Sequence, residues 1–364
     1  MYERPDLPIP ENKNPRVKNW LKAAYFDSPD WIPFSVNLLP ATWMKQREAL
    51  EDVVLAHPKA FPGFERGKTD FDALPAHPLY RLGRHTDSWG ITWENIEPGM
   101  DSIPVGHPLQ DWDDFEAWKA TAPDANTTND WGPQPDWEQL ARHFEAVKES
   151  GGIAIGGVTH GSVYMRQYYL REFTNYMIDV ATEDPRLDEL AALICDYNLT
   201  TVKRYLDAGM ELMFFADDLG MQDALPMSPL KWRKYVGDCY RQLIGECRAR
   251  QCGTFMHSDG RIVEIIPDLV EYGLNIINAQ YRANTLEGLV EVAKGRLCVH
   301  LDLDRQLFPF ATPAELREHV RQCVKALNDP RGGLTLSLEL GPDVTPENAD
   351  ALITALEEFG EPWM

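Results

Sequence analysis

Long apolar runs are missing from this chain. No segment approaches the roughly 18 consecutive apolar residues that a membrane-spanning helix requires, so no span is expected. Positive charge is also scarce. With 35 Lys and Arg against 57 Asp and Glu, the formal net charge is −22, and such a surface repels nucleic-acid backbones and anionic membranes, whose binding depends on Lys and Arg displacing counterions. Neither partner is expected. Six cysteines (Cys195, Cys239, Cys247, Cys252, Cys298, Cys323) show no C-x-x-C spacing and read as reduced, small, buried apolar residues. No G-x-G-x-x-G turn follows an early strand: Gly151-Gly152 and Gly156-Gly157 do not fit it, which argues against an open nucleotide-binding sheet. Residues 1–14 have no apolar core of the kind a secretory signal needs, so a cytoplasmic location is expected. Internal repeats and low-complexity tracts are absent as well.

What is present is an ordinary globular composition, 44% hydrophobic and 25% charged over 364 residues, arranged in alternation. Short β-rich runs fall at 33–38, 153–158, 212–216, 254–256, 275–278, 298–301 and 334–338. Between and after them lie amphipathic helical stretches at 186–208, 229–251, 262–272, 286–293, 313–327 and 346–359. Strand then helix, repeated, implies a parallel sheet. Seven such strands in one chain predict a (β/α)8 TIM barrel, with the eighth strand in the least patterned region. Residues 1–135 read as an N-terminal helical and irregular extension with a hairpin-containing insertion, rich in Pro, Gly, Trp and Asp from 75 to 129. Residues 136–364 read as the main barrel, and the whole as a single domain.

In such barrels chemistry gathers at the C-terminal ends of the strands. The residues that leave the predicted strands are Asn37, Thr159 and His160, Asp217 and Asp218, His257 with Asp259, Asn278 and Gln280, His300 with Asp302 and Asp304, and Glu339. Polar residues at nearly every exit imply a shared polar site for a small molecule. His257 and Asp259 with Glu339 could hold a divalent metal or form an acid/base set. Alternatively Asp259-Gly260 only caps a helix beginning near Arg261. Asp217 and Asp218 are adjacent on an extended segment, so one of them faces the site; these two and His257 are the catalytic candidates. Asn37, His160, Arg166, Gln222, Asn278 and Gln280 are candidate substrate contacts. Arg166 and Arg171 lie on a tyrosine-rich stretch, where each could fork onto a carboxylate or make a surface ion pair. His300 reads as a core histidine or a ligand. Trp43, Trp89 and Trp93 read as an aromatic wall or as packing of the N-terminal segment.

Several ordered segments carry a family resemblance. Asp304-Arg-Gln-Leu-Phe-Pro-Phe-Ala-Thr-Pro-Ala-Glu315, Gly332-Gly333 and Gly341-Pro-Asp-Val-Thr-Pro-Glu-Asn348 resemble the end of uroporphyrinogen decarboxylase superfamily barrels. Ala216-Asp-Asp-Leu-Gly-Met-Gln222 and His257-Ser-Asp-Gly260 are similar to the same barrels, over roughly residues 140–360, and Asp87-Ser-Trp-Gly90 extends the likeness. The arginine-rich motif by which true decarboxylases hold their substrate's carboxylates has no counterpart at 33–43. The resemblance therefore implies the methyltransferase branch, which moves methyl groups between a corrinoid and a thiol or other acceptor and binds zinc through His-x-Cys and a later Cys. Laid on this chain those ligands are His257, Asp259 and Glu339, so a harder metal site, zinc or another divalent ion, is implied. No Asp-x-His-x-x-Gly corrinoid motif is present, so a cobalamin would arrive on a separate corrinoid protein. Related barrels often dimerise, so a homodimer is a candidate assembly. A metal-independent decarboxylase or lyase, with Arg166 holding the acid, and a non-catalytic ligand-binding or corrinoid-protein-binding accessory protein are the alternatives.

Overall fold

A computed structural model of the chain describes residues 7–360. Residues 1–6, part of the stretch read for a secretory signal, lie outside it. Among the described residues no helix is long and apolar enough to cross a membrane.

Seven parallel strands carry the fold: β1 Phe34–Leu38, β2 Ile155–Gly157, β3 Leu212–Ala216, β4 Gly253–Ser258, β5 Ile276–Gln280, β6 Cys298–Asp302 and β7 Leu334–Leu340. Their order in the sheet is β1-β7-β6-β5-β4-β3-β2. Neighbours follow chain order and the last strand lies beside the first, which is the strand order of a TIM-like α/β fold. The run stops at β1 on one side and β2 on the other. No eighth strand joins this sheet among the described residues, and the intervening chain instead forms short helices and an antiparallel sheet of Gly83–Thr86, Thr92–Asn95 and Ile103–Gly106.

Sequence chemistry sets the element boundaries. β3 (Leu-Met-Phe-Phe-Ala) and β4 are buried on both faces, as parallel strands covered by helices must be. The helix Pro313–Leu327 starts at a capping box of Thr312 and Glu315 with proline in its first turn, and the Asp184 side chain caps the helix Pro185–Asp207 by accepting from the Arg186 N–H, again with proline in the first turn. The stretch expected to be helical from 262 begins only at Ile266, because Pro267 lacks an N–H and fits only in a first turn. The reading of Asp259-Gly260 as a helix cap at 261 is thereby overturned. The expected helix 229–251 ends at Ala249 and contains a π turn at Arg233–Gly237. Such a turn inserts one residue and rotates the face presented by the remainder of the helix.

The chain divides into two compact units. In the first (7–18, 83–94 and 103–277) the strands β2 to β4 are in register: Gly157 lies beside Phe214, and Ala216 beside His257. In the second (19–82, 95–102 and 278–360) Asn37 lies beside Glu339, and Asp302 beside Ser337.

Candidate functional site

In the first unit, register decides which polar side chains meet. Because Ala216 pairs with His257, the residues that leave β3 and β4 run side by side. They are joined by a ladder of hydrogen bonds: the Asp217 N–H to the His257 carbonyl (3.1 Å), the Leu219 N–H to Ser258 Oγ (3.0 Å) and the Arg261 N–H to the Met221 carbonyl (2.7 Å). Two glycines permit this approach. A Cβ on Gly260, whose φ is +79°, would fall 2.2 Å from the Gly220 carbonyl oxygen, and one on Gly220 would fall 2.4 Å from the Arg261 backbone. The loop after β2 joins through the Gly161 N–H, which donates to the Ala216 carbonyl at 2.8 Å.

This scaffold focuses three groups on one atom, Oδ1 of Asp218. His160 Nε2 lies 3.2 Å away, the Asp259 N–H donates to it at 3.1 Å, and His257 Nε2 lies 3.7 Å away. The Asp259 carboxylate is 3.6 Å from the same His257 nitrogen. Ligand-type atoms of His160, Asp218 and His257 all lie within 4.8 Å of one another. Burial opposes charge on both Asp218 and His160, but their hydrogen bond and mutual attraction win: Asp218 is held below its ordinary 3.8 and His160 above its ordinary 6.5.

These shifts fix a pH dependence. A depressed Asp218 stabilises the fold above about pH 3.8 and loses that contribution as acid protonates it; a raised His160 stabilises below about pH 6.5 and loses its contribution as the pH climbs past its folded value. Both side chains are partly exposed, so the pair contributes less than about 1 kcal/mol. In metal-free buffer the stability gap between wild type and Asp218→Asn should be larger at pH 5.5 than at pH 8.5, as read by urea unfolding. An identical gap at both values would show that the pair does not titrate this way.

Asp217 has a different place from the catalytic one expected of it. Its carboxylate is fully buried and accepts from the backbone N–H groups of Val163, Tyr164 and Met165 (3.3, 2.6 and 3.0 Å) and from the Tyr240 hydroxyl (2.9 Å). It caps the first turn of the helix Tyr164–Arg171 and cannot reach a substrate. Arg166 departs further from expectation. It is 2% exposed, ion-paired to Asp87 (3.3 Å) and Asp130 (3.2 Å), and stacked 4.9 Å from the Trp89 ring. An inward arginine committed to two aspartates is neither a carboxylate fork for substrate nor a surface ion pair. Arg171 is likewise buried, on Asp179 at 2.8 Å and over the Trp112 ring. Trp89 and Trp93 donate to Asp130 and Asp87, so they are packing rather than a ligand wall. Gln222 lies exposed on the loop after β3.

The other candidates lie in the second unit. Glu339 accepts from Asn37 Nδ2 (2.9 Å) and pairs with Arg305 (2.5 Å), which also meets Asp302 at 3.1 Å. Asn278 donates to the His300 carbonyl (2.7 Å), and His300 Nδ1 meets Thr335 Oγ1 at 2.6 Å. Gln280 ends β5. Arg305 does not stand out in the sequence, although it directly follows the Asp302 and Asp304 exit. Among the described residues the metal-capable group is His160, Asp218 and His257, and Glu339 is not part of it.

A family model described as uroporphyrinogen decarboxylase (URO-D) matches residues 99–359. The chain belongs to the uroporphyrinogen decarboxylase family. Among solved structures, a methyltransferase from Methanosarcina mazei is similar over 94% of this chain and 98% of its own, with a TM-score of 0.61 at 16% identity. At that identity the likeness is one of fold. Dihydropteroate synthases from Xanthomonas albilineans, with 4-aminobenzoic acid (16% identity, TM-score 0.30, 44% of this chain and 61% of that one), and from Anaplasma phagocytophilum, with 6-hydroxymethylpterin-monophosphate (13%, 0.35, 47% and 70%), also match. No curated protein matches. Within the uroporphyrinogen decarboxylase family, this member places imidazoles and carboxylates, without a thiolate, at the exits of β2 to β4.

Proposed function

We propose that this protein is a methyltransferase-type or demethylase-type enzyme acting on a small polar substrate, built as one TIM-barrel-like domain with an N-terminal extension and a hairpin insertion. The observation that carries the reading is the convergence of His160, His257 and Asp259 on Asp218 at the exits of three adjacent strands, in a chain of the uroporphyrinogen decarboxylase family. Membership alone does not choose a reaction, because one fold hosts many chemistries. The methyltransferase fold likeness and the absence of an arginine-rich motif at 33–43 favour methyl transfer over porphyrinogen decarboxylation. Enclosure of Arg166 between Asp87 and Asp130 removes the group on which a carboxylate-substrate lyase was argued.

The imidazole and carboxylate donors suit a divalent metal, which when bound supplies Lewis-acid polarisation of a substrate atom. The chain's own residues do the rest: the loops after β2, β3 and β4 fix the donors, and the Asp259 N–H holds the direction of the Asp218 carboxylate. Any corrinoid would be presented by a separate protein. The test is incubation of the full chain with cob(I)alamin and a panel of O-, N- and S-methyl compounds, following methylcobalamin formation in the visible spectrum. Turnover is expected for wild type, and a loss of about 100-fold or more for His257→Ala. Carbon dioxide release without a corrinoid, or binding of substrates with no transfer in either direction, would sink the proposal.

A further inference from the structure

We infer that His160, Asp218 and His257 are the ligands of a divalent first-row transition metal whose remaining positions take an oxygen atom. This set replaces the His257, Asp259 and Glu339 set that the family resemblance implies. The inference presumes, with the proposed function, that this is the working site, but it concerns the metal and can fail separately.

Geometry is the first argument. Donor atoms held about 2.0–2.2 Å from one ion at tetrahedral to octahedral angles lie about 3.0–3.5 Å apart. His160 Nε2 is 3.2 Å from Asp218 Oδ1, and His257 Nε2 is 3.7 Å from it. All three donor atoms lie within 4.8 Å of one another, so an ion between them needs inward movement of the imidazoles of up to about an ångström. The donors also come from three exits whose backbones are tied together, through Gly161 to Ala216, Asp217 to His257 and Gly220 against Gly260. The Asp259 N–H on Asp218 Oδ1 fixes the carboxylate's direction, the outer-shell support that metal ligands commonly have.

Charge and donor chemistry select the occupant. Asp259 stands 3.6 Å from His257 Nε2 beside the Asp218 carboxylate, so the surroundings are negative and favour a dication. Two imidazoles and a carboxylate with open positions suit Fe(II), Co(II) or Zn(II). All six cysteines are buried, on helices, strand β6 and the turn before β4, and none is in the group. Without a soft ligand to favour a thiol, the open positions match an alkoxide, phenolate or carboxylate oxygen. Glu339 is engaged otherwise, by Arg305 at 2.5 Å and Asn37 at 2.9 Å. It reads as the residue that orients Arg305.

The test is a titration of chelator-stripped full-length protein with Co(II), followed by visible absorption. One tight site is expected in wild type. His160→Gln, Asp218→Asn and His257→Gln should each weaken it by about 100-fold or more, and Glu339→Gln by less than about threefold. The conservative replacements are expected to retain the wild-type far-ultraviolet circular dichroism, since His160 is partly exposed and Asp218→Asn keeps its shape. Acetohydroxamate should shift the bound Co(II) spectrum, whereas mercaptoethanol should not produce a thiolate charge-transfer band. Co(II) uptake unchanged by Asp218→Asn, or lost in Glu339→Gln and kept in His160→Gln, overturns the ligand set. A thiolate band overturns the oxygen assignment. A tight site lost as expected in the three variants, in a protein that transfers no methyl group, supports the ligand set and removes only the proposed function.

Discussion

Replacing Arg166 with Met should lower the unfolding free energy by about 3–5 kcal/mol, the usual result of removing one partner from a buried ion pair. The loss comes from the groups left behind. Asp87 keeps the N–H groups of Trp89, Ile91 and Trp93 Nε1 at 2.9 Å, and Asp130 keeps Trp89 Nε1 at 2.6 Å. Two carboxylates would then face each other in the interior without the cation between them. Burial already pushes the Asp87 carboxyl up against the pull of Arg166, so removal of that cation should push it up further. Urea unfolding of Arg166→Met, of Asp87→Asn with Asp130→Asn, and of the triple variant forms the cycle that checks this. The triple variant should recover part of the loss, because replacing all the charges avoids an orphan. If Arg166→Met costs less than about 1 kcal/mol, the three groups are not an interior ion network.

Asp217→Ala is the second large effect expected, about 3 kcal/mol or more. Three backbone N–H groups at 3.3, 2.6 and 3.0 Å and the Tyr240 hydroxyl would lose their acceptor inside the protein, and each buried donor left alone costs about 1–3 kcal/mol before relaxation. The comparison with its neighbour is the informative part. Asp217→Asn should lower stability while folded molecules keep their metal affinity within a few fold. Asp218→Asn should do the reverse. A variant at 217 that folds as well as wild type yet loses Co(II) would return Asp217 to the site.

Where burial and hydrogen-bonding periodicity dominate, the chain is readable. All seven strands and the helix 313–327 follow from apolar runs and a Thr-x-x-Glu start. The polar exits are equally visible, since a His or Asp at the end of an apolar strand stands out. The pairing of exits is not, because it depends on register. The choice of Asp218 over Asp217 rests on where the helix Tyr164–Arg171 begins, and on the Tyr240 hydroxyl that reaches back to Asp217 from the helix after the π turn. Arg166 misleads for a related reason: its acceptors, Asp87 and Asp130, are 79 and 36 positions away. A tyrosine-rich helix carrying an arginine looks alike in sequence whether it faces ligand or interior.

The contact between Gly220 and Gly260 bears on how this protein could change its substrate. With backbone against backbone and no room for even a methyl group on either side, the segments carrying Asp218 and His257 move as one piece, and no point substitution at the glycines can retune one without displacing the other. The turn after β2, which carries His160, is tied to this piece by the Gly161 to Ala216 hydrogen bond, by His160 Nε2 on Asp218 and by the Val163 N–H on Asp217. Directed evolution for a new acceptor should therefore leave the paired glycines untouched.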